Sequence, residues 1–574
     1  MIMLLCHRLP RAAALLAIPV LALVAGLALP VAHAASGDYA EGSVALSGAE
    51  QALKRGDCGS AAKQYQQALQ RIGQAELAGR AAAMTLACGQ YPAARAIAER
   101  WLQIAPGGPE PLLALTYAEL GDYQLADARR NFKALLGVVD DKPSELIEQL
   151  AQRAGTEPTL AMLRASDDAR LRGGDEQLAL ATLALEGWDA RLALRYVQAA
   201  RAAGASNTAA AAIAARAHAV LGEAGSATTE ARLAATVTAG KMVPAQVMLL
   251  LGHENEALAE LQRLRTDPQV GGGAARMLAQ LAIDSGDYAV AEQRCTALVA
   301  DPDAAPLAVY YLGLIAERRG DDVTALRDYA LLTGSGLEAQ ARQRTATILY
   351  RQGERDAAVR VLTAERDAAP DERIRGELAA AQLLADAGAE NEALSRIESA
   401  LRRSPGNPEI SYQRAVFLER AGQADAAIAA LETLHRERPA DPGITNALGY
   451  TLADHKRELP RAEGLIRTAL ASEPDNPALL DSLGWVLYRR GQYAAAVTEL
   501  ARAYRLLHDG DVGAHWGEAL WAAGQKAEAR TAWQRALAAD PDNKTLAATV
   551  RRYAPTLTAP KPPPALEPAP RTSI

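Results

Sequence analysis

Apolar side chains in residues 478–541 recur at the spacing of one helix face, and the pattern restarts after a short turn. One run spans residues 478–490 and the next spans residues 493–507, with Gly491 between them. Apolar residues three or four positions apart share a helix face, so each run predicts an amphipathic α-helix. Gly491 follows two arginines, and a basic last turn before a glycine is a helix stop. The pattern therefore predicts a helical hairpin. The positions expected to face inward are Leu480, Leu483, Val486, Leu487, Ala496, Leu500, Ala503 and Leu507.

The hairpin pattern returns 33 residues later. Leu483-Gly484 corresponds to Trp516-Gly517, and Gly491 corresponds to Gly524. A helix-turn-helix unit of about this length, with small residues at fixed positions, resembles the tetratricopeptide repeat. Such a unit cannot bury its apolar face alone, so the resemblance implies a stack of hairpins.

Glycines suited to the turn recur along almost the whole chain. They stand at Gly56, Gly89, Gly121, Gly155, Gly187, Gly222, Gly252, Gly286, Gly320, Gly353, Gly388, Gly422, Gly491 and Gly524. One repeat, between residues 422 and 491, lacks the glycine and carries HKREL instead. This period predicts an all-α fold, an α-solenoid superhelix of antiparallel helix pairs.

The regularity of the pattern divides the chain into segments. Residues 35–140 carry tetratricopeptide-like repeats, residues 141–270 carry degenerate helical repeats, and residues 271–541 carry regular ones. Residues 542–554 predict a helix that caps the exposed end of the core, as stacked arrays require. The proline-rich residues 555–574 predict an extended, unstructured tail.

Residues 1–34 have the features of a secretory signal peptide. Arg8 and Arg11 precede an apolar run from residue 12 to residue 29, and Ala32-His33-Ala34 is a small-x-small cleavage signal. The alternative is an uncleaved anchor, because the apolar run is long for a signal peptide. Cys6 lies ahead of the run, where a lipid-attachment cysteine would not stand. We therefore expect export to the periplasm as a protein without a lipid anchor.

Composition and charge limit the partners. Aromatic residues make up 4% of the chain, which suits an all-helical fold. The formal charge of −7 becomes −9 without Arg8 and Arg11. An acidic chain with no basic run argues against nucleic acid as the main partner.

Three cysteines remain after removal of the leader. Cys58 and Cys88 fall near the turns of successive hairpins, and turns stack along one edge of such an array. In an oxidising compartment these two are candidates for a disulfide. Cys295 falls at a core position and is expected to be a small buried hydrophobe.

Motifs of catalysis are absent from the sequence. There is no HExxH, no GxxxxGK[ST] and no GxSxG, and the eight histidines are scattered. We therefore expect no enzyme active site, no cofactor and no metal.

Partner binding is expected on the concave surface, which the first helices of the hairpins line. Two Trp and three Tyr concentrate there in the last repeats, and Trp, Tyr and Arg supply most binding energy at interfaces. The candidates are Tyr412, Asn446, Tyr450, Trp485, Tyr488, Arg489, Glu518 and Trp521. Some of these rings are equally expected to fill the core between repeats. Trp485 and Trp521 are the strongest candidates for binding, and Trp516 and Trp533 are assigned to the core.

Residues 440–545, from NALGYTLADHKRELPRAEGLIRTALASEPDNPALLDSLGWVLYRRGQY onward, resemble a group of envelope proteins of Gram-negative bacteria. These are tetratricopeptide adaptors of a carboxyl-terminal processing protease, a periplasmic serine protease. The resemblance implies a non-enzymatic scaffold that binds and activates the protease and presents substrates such as cell-wall hydrolases. Such adaptors are typically lipoproteins, which this chain is not expected to be.

Two other functions remain open from the sequence. One is a scaffold for assembly or secretion of envelope components, such as an exopolysaccharide or an outer-membrane protein. The other is a regulatory subunit of a glycosyltransferase. In every case we expect protein or peptide partners, no nucleic acid and no membrane span after signal cleavage.

Overall fold

The computed structural model describes residues 37–140, 142–363, 369–541 and 543–557. The regular elements of this part are 31 α-helices and two 3-10 turns, Ala169–Leu171 and Thr238–Gly240, and it contains no strand. The all-α prediction is confirmed. The predicted signal peptide of residues 1–34 and the tail from residue 558 lie outside the described residues. Within the described part, no helix combines the length and the apolar character needed to cross a bilayer.

Thirty of the helices form fifteen consecutive antiparallel hairpins. Their first helices are α1 Gly37–Lys54, α3 Ala75–Ala87, α5 Pro109–Gly121, α7 Pro143–Ala154, α9 Gly174–Glu186, α11 Asn207–Leu221, α13 Val243–Leu250, α15 Gly271–Asp284, α17 Ala305–Arg318, α19 Glu338–Arg351, α21 Pro370–Asp386, α23 Pro408–Arg420, α25 Pro442–Asp454, α27 Pro477–Arg489 and α29 Gly510–Ala522.

Each first helix is followed by a partner that packs against it. These second helices are α2 Cys58–Arg71, α4 Tyr91–Ile104, α6 Leu125–Leu135, α8 Thr156–Arg164, α10 Ala190–Ala202, α12 Ala224–Ala234, α14 Glu254–Leu264, α16 Tyr288–Leu298, α18 Asp322–Ala330, α20 Arg355–Thr363, α22 Glu390–Arg403, α24 Ala424–Glu437, α26 Leu459–Ser472, α28 Tyr493–Leu506 and α30 Lys526–Ala539. Helix α31, Lys544–Tyr553, follows alone.

The α27–α28 hairpin shows why this sequence folds as it does. Asn476 Oδ1 accepts the backbone N–H of Ala478 at 2.9 Å, which caps the start of α27. Gly491 ends the hairpin's turn with φ 77°, a conformation that glycine adopts without steric cost. A Cβ on Gly484 would lie 2.4 Å from Cγ of Leu500, so the small residue lets the two helices approach. The glycine of the repeated Leu-Gly step therefore marks the place where the two helices of a hairpin pack closely.

Two turns use a different residue from the glycine that the period indicated. Gly121 and Gly187 do not take the left-handed conformation; Tyr123 with φ 55° and Trp188 with φ 57° take it instead. In the repeat without a turn glycine, Lys456 adopts it with φ 54°. For these residues the left-handed conformation is strained, so contacts elsewhere in the structure must stabilise it.

The array continues through the degenerate segment and ends in a cap. Residues 142–270 contain the four hairpins from α7 to α14, and their shortest helix, α13, has 8 residues. Helix α31 buries Leu546 and Val550 against the last hairpin. Because the end of a helical stack exposes apolar side chains, α31 covers what would otherwise be open core.

The superhelix closes far enough for its first coil to touch its last. We call this contact the seam: turns and helix ends in residues 37–221 lie against helix ends and inter-hairpin loops in residues 370–507. Arg505 donates to the carbonyl of Val220 at 3.0 Å, and Asn407 donates to that of Cys88 at 3.0 Å. Arg438 lies over the Tyr123 ring, 4.9 Å from its centroid. The partners are as much as 320 residues apart, as in the 2.5 Å hydrogen bond from Arg373 to the carbonyl of Leu53.

The hydrogen bonds of the seam are explained by the unpaired carbonyl groups at the ends of helices. The last carbonyls of a helix have no partner within the helix and carry the negative end of its dipole. Arginine and asparagine side chains of the opposite coil supply the missing donors. A shared hydrophobic cluster also spans the seam, because it includes Leu180 and Val220 of the first coil with Leu480 and Leu506 of the last. The contact therefore joins helix ends and the loops beside them.

The cysteines lie as the hairpin register suggested. Cys58 and Cys88 are joined in a disulfide with Cα atoms 5.7 Å apart. Cys295 is a free, buried cysteine, and burial raises the pKa of its thiol to about 11. A buried thiol with a raised pKa is a poor nucleophile, in agreement with its assignment to the core.

Candidate functional site

A pocket of about 350 Å³ opens on the concave face, between the first helices of the last four hairpins. Its walls come from α23, α25, α27 and the start of α29, with Leu431 and Leu507 at its edges. Tyr412, Asn446 and Tyr450, three of the residues that the sequence indicated, line it together. The period brings them together because equivalent positions on successive first helices share one face of the array.

Four carboxylates of the pocket were missed by the sequence analysis. They are Glu419, Asp481, Asp509 and Asp511. Asp481 holds in α27 the position that Asn446 holds in α25, two residues before the leucine of the Leu-Gly step, so the repeat register was a signal for it. Asp509 and Asp511 lie at the start of α29, and no periodic pattern marks that loop.

Asp481 is tied to a buried histidine. His515 Nδ1 lies 3.0 Å from Asp481 Oδ1 and 3.1 Å from Oδ2. Burial alone would lower the pKa of His515, but the charge and hydrogen bond of Asp481, together with the charges of Glu518 and Asp511, outweigh burial and raise the pKa overall. The favoured state is therefore an imidazolium paired with a carboxylate at the pocket wall.

Trp485 is buried and does not line the pocket. Its side chain is 7% exposed, between the His515 ring at 4.1 Å and the Arg489 guanidinium at 4.4 Å. Its Nε1 donates to Asp454 Oδ1 at 3.0 Å, and Arg489 donates to the same oxygen at 2.6 Å. The ring therefore fixes its neighbours instead of offering a face to a ligand. A binding role for Trp485 and Arg489 stays a prediction.

The remaining candidates lie next to the capping helix. Tyr488 donates to Glu518 Oε2 at 3.4 Å, and Thr549 of α31 donates to Glu518 Oε1 at 3.1 Å. The Trp521 ring lies 5.8 Å from the ring of Tyr553, which belongs to α31. Trp521 keeps part of its surface exposed. Tyr488, Glu518 and Trp521 thus form the end wall of the array, and their part in binding also stays a prediction.

One group of side chains near the pocket has the donor types of a metal site. Oxygen or nitrogen atoms of Glu419, Asp454 and His455 lie within 4.8 Å of one another, the only such group among the described residues. Asp454 Oδ1 already accepts hydrogen bonds from Trp485 and Arg489. A cation there would compete with the Arg489 guanidinium, so the arrangement favours a structural ion pair.

Parts of the chain match models of the tetratricopeptide repeat. The matches cover residues 384–449 with one model and residues 276–335, 447–510 and 516–547 with another. A relative, the TPR repeat-containing protein PA4667 of Pseudomonas aeruginosa, is 34% identical over 212 residues. That alignment covers 36% of this chain and 35% of the relative, so it spans about a third of the relative's length. The chain therefore contains tetratricopeptide repeats.

Solved structures with similarity to the chain include two that align over most of it. The APC/C hetero-tetramer Cut9-Hcn1 is 14% identical, with a TM-score of 0.31, over 90% of this chain and 97% of that one. Yeast Tom70 is 13% identical, with a TM-score of 0.31, over 90% of this chain and 98% of that one.

Proposed function

We propose that this protein, which contains tetratricopeptide repeats, is a non-catalytic scaffold. It binds an extended segment of another protein on its concave face. The observation that carries this proposal is the pocket shared by four successive first helices, with Tyr412, Asn446 and Tyr450 in its wall. Tyrosines with partly exposed rings supply contact area at low entropic cost, and amides supply hydrogen bonds to a peptide backbone.

The dimensions of the pocket suit an extended peptide. Packed helices lie about 8–10 Å apart, so a path across four first helices measures roughly 25 Å. An extended chain rises about 3.3 Å per residue, so roughly eight residues fit along that path. A site lined by four successive helices favours a polypeptide over a small metabolite, which usually occupies an enclosed cavity.

We further propose that the scaffold works in the periplasm and that its partners are a carboxyl-terminal processing protease and the substrates of that protease. The support is the resemblance of residues 440–545 to adaptors of such proteases, together with the signal-peptide features of residues 1–34. The scaffold would hold enzyme and substrate on one surface, which raises the effective concentration of each for the other.

Affinity purification followed by direct binding tests this function. The mature chain, tagged at its C-terminus, is purified from periplasm, and its partners are identified by mass spectrometry. The protease and a substrate hydrolase are then purified and titrated against three forms of the scaffold: wild type, Tyr412→Ala/Tyr450→Ala, and Tyr39→Ala. Tyr39 is exposed in α1, outside the pocket, and controls for loss of a surface tyrosine.

We expect the pocket variant to weaken binding of the protease or the substrate by at least about thirtyfold, the effect of losing about 2 kcal/mol at an interface centre. The Tyr39→Ala protein should bind as wild type, and thermal melts should show all three folded. Unchanged affinity in the folded pocket variant would contradict the proposed binding surface. Recovery of secretion or synthase subunits instead of a protease would contradict the proposal that the partner is a protease. It would favour a role in the assembly of envelope components.

A further inference from the structure

The pocket on the concave face is strongly acidic. Sixteen residues line it; four are Asp or Glu, and none is Lys, Arg or His. His515 balances the charge of Asp481 from behind the wall, and His455 Nε2 lies 3.7 Å from Glu419. Neither Asp509 nor Asp511 forms an ion pair among the described residues, and the charge of Asp511 also acts on His515. The interior therefore carries an excess of negative charge.

One of the two carboxylates at the start of α29 is fixed in place as the N-cap of that helix. Asp509 Oδ1 accepts the N–H groups of Asp511 at 2.8 Å and Val512 at 3.2 Å, which fixes its position. Burial raises the pKa of Asp509, so its charged form is poorly solvated and gains from a cationic partner. Asp511 is exposed at the mouth of the pocket.

The spacing of these carboxylates does not suit a metal ion. Within the described part of the chain, only Glu419, Asp454 and His455 bring three ligand atoms within 4.8 Å of one another. Asp481, Asp509 and Asp511 are thus distributed around the pocket rather than gathered at one point. A long side chain with a diffuse or mobile positive charge can contact separated carboxylates, whereas a small divalent cation needs them converged.

The other pocket residues fit the uncharged parts of such a side chain. The rings of Tyr412 and Tyr450 offer surfaces on which an aliphatic stem can lie. Burial raises the pKa of the Tyr450 hydroxyl, and the charges of Asp481, Asp454 and Glu419 raise it further, which shows the sign of the local potential. Asn446 Oδ1 is buried without a hydrogen-bond partner, so this amide is uncommitted. An amide with an unused acceptor can serve the backbone N–H of a bound segment.

We propose that this pocket binds the side chain of a lysine or arginine within an extended segment of the partner protein. The cationic group lies among the carboxylates that line the pocket, the stem lies on Tyr412 and Tyr450, and Asn446 contacts the peptide backbone. This inference rests on the proposed function, because it names the chemistry of the segment that the concave face holds.

The probe for this inference is a set of four immobilised libraries of randomised nonapeptides. Their central residue is fixed as Arg, Lys, Gln or Glu, and they are otherwise identical. Full-length mature protein is tested as wild type, as the pocket variant Glu419→Gln/Asp511→Asn, and as the control Asp425→Asn/Glu528→Gln. The control removes the same net charge from two exposed carboxylates that do not line the pocket. Tyr412→Ala/Tyr450→Ala serves as a fourth sample.

We expect wild type and control to retain the Arg and Lys libraries about tenfold better than the Gln library, the effect of one charge-assisted contact. The pocket variant should lose most of that preference. Raising the salt concentration from about 0.05 M to about 0.5 M should reduce the preference in wild type, because exposed charges are screened. A preference that is equal in the pocket variant and the control would overturn the inference, since the cation would then bind elsewhere.

The remaining outcomes separate this inference from the function on which it rests. Equal retention of all four libraries, or retention of the Glu library above the others, overturns the inference. If Tyr412→Ala/Tyr450→Ala then loses its protein partner, the concave binding surface still stands. If no library is retained and that variant keeps its partner, both the function and the inference fail.

Discussion

Replacement of Asp475 by alanine should loosen the seam at one identifiable amide. Asp475 lies in the loop between α26 and α27, and its side chain is 4% exposed. Its Oδ2 accepts the N–H of Ala190 at 3.0 Å across 285 residues, and its own N–H donates to the carbonyl of Trp188 at 2.8 Å. Ala190 is the first residue of α10, where a helix leaves its N–H groups without an internal partner. Protection of the Ala190 amide from hydrogen exchange therefore depends on its hydrogen bond to Asp475 in the other coil.

The cost of the change can be worked from these contacts. A buried N–H left without a partner costs about 1–3 kcal/mol. Arg502 also loses its ion pair with Asp475, but its side chain is 36% exposed and it keeps a 2.8 Å hydrogen bond to the carbonyl of Pro474. Solvent therefore offsets most of that second loss. We expect a local cost of about 2 kcal/mol, which corresponds to roughly thirtyfold faster exchange of the Ala190 amide.

Hydrogen exchange measured by mass spectrometry tests this expectation. The informative peptides are those that cover residues 186–195, compared between wild type, Asp475→Ala and the control Asp287→Ala. Asp287 caps α16 through the N–H of Val290 at 3.2 Å and lies outside the seam, so its loss should affect only residues near α16. Unchanged exchange around Ala190 in the Asp475→Ala protein would refute the seam as a stabilising contact. Combining Asp475→Ala with Asn407→Ala and Arg438→Ala should increase the radius of gyration in small-angle scattering.

Three further perturbations give different signatures. Trp485→Ala should lower stability by about 3–5 kcal/mol, because the change opens a cavity between Arg489 and His515; a thermal melt equal to that of wild type would contradict the buried position of the ring. Burial, with Glu473 and Asp441 adding to it, raises the pKa of Glu157 to about 7. Its protonated form is thus favoured in the folded state, so this contribution to stability is present below pH 4.5 and is lost as the pH rises through about 7. Glu157→Gln should flatten the pH dependence of the unfolding free energy over that interval, and an unchanged slope would count against the shift. Reduction of the Cys58–Cys88 disulfide, which closes 30 residues, should cost roughly 3–4 kcal/mol in the first two hairpins. Comparison of melts of wild type and Cys58→Ser/Cys88→Ser, with and without reductant, measures this, and a reductant effect that persists in the variant would exclude the disulfide as its cause.

Some residues of the candidate site could be predicted from the sequence and others could not, and the difference has a physical cause. Tyr412, Asn446 and Tyr450 were found because they repeat at equivalent positions on first helices, and equivalent positions share a face. Trp485 was the strongest candidate from the sequence, which does not reveal that its ring is buried between Arg489 and His515; its role in binding stays a prediction. Asp509 and Asp511 were not found, because they lie at the N-cap and in the first turn of α29, before the helical periodicity identifies the exposed side.

The sequence by itself determined the part of the fold that depends on contacts between neighbouring repeats. The 33-residue recurrence sets which helices pair and which hairpins stack, because each contact lies within one or two repeats and small residues such as Gly484 mark it directly. The capping role of α31 follows from the same pattern. Tyr123 and Trp188 show its limit, since they adopt the left-handed conformation in place of the glycines that the period indicated, and both contact the opposite coil.

Only the tertiary structure decided that the array closes on itself. The pitch of a superhelix is the sum of small rotations over many repeats, and no local pattern records that sum. The seam therefore joins residues as far apart as Leu53 and Arg373 without any sign in the sequence. The acidic character of the pocket has the same origin, because Glu419, Asp481 and Asp511 come from three hairpins and meet only when those hairpins stack with their actual curvature.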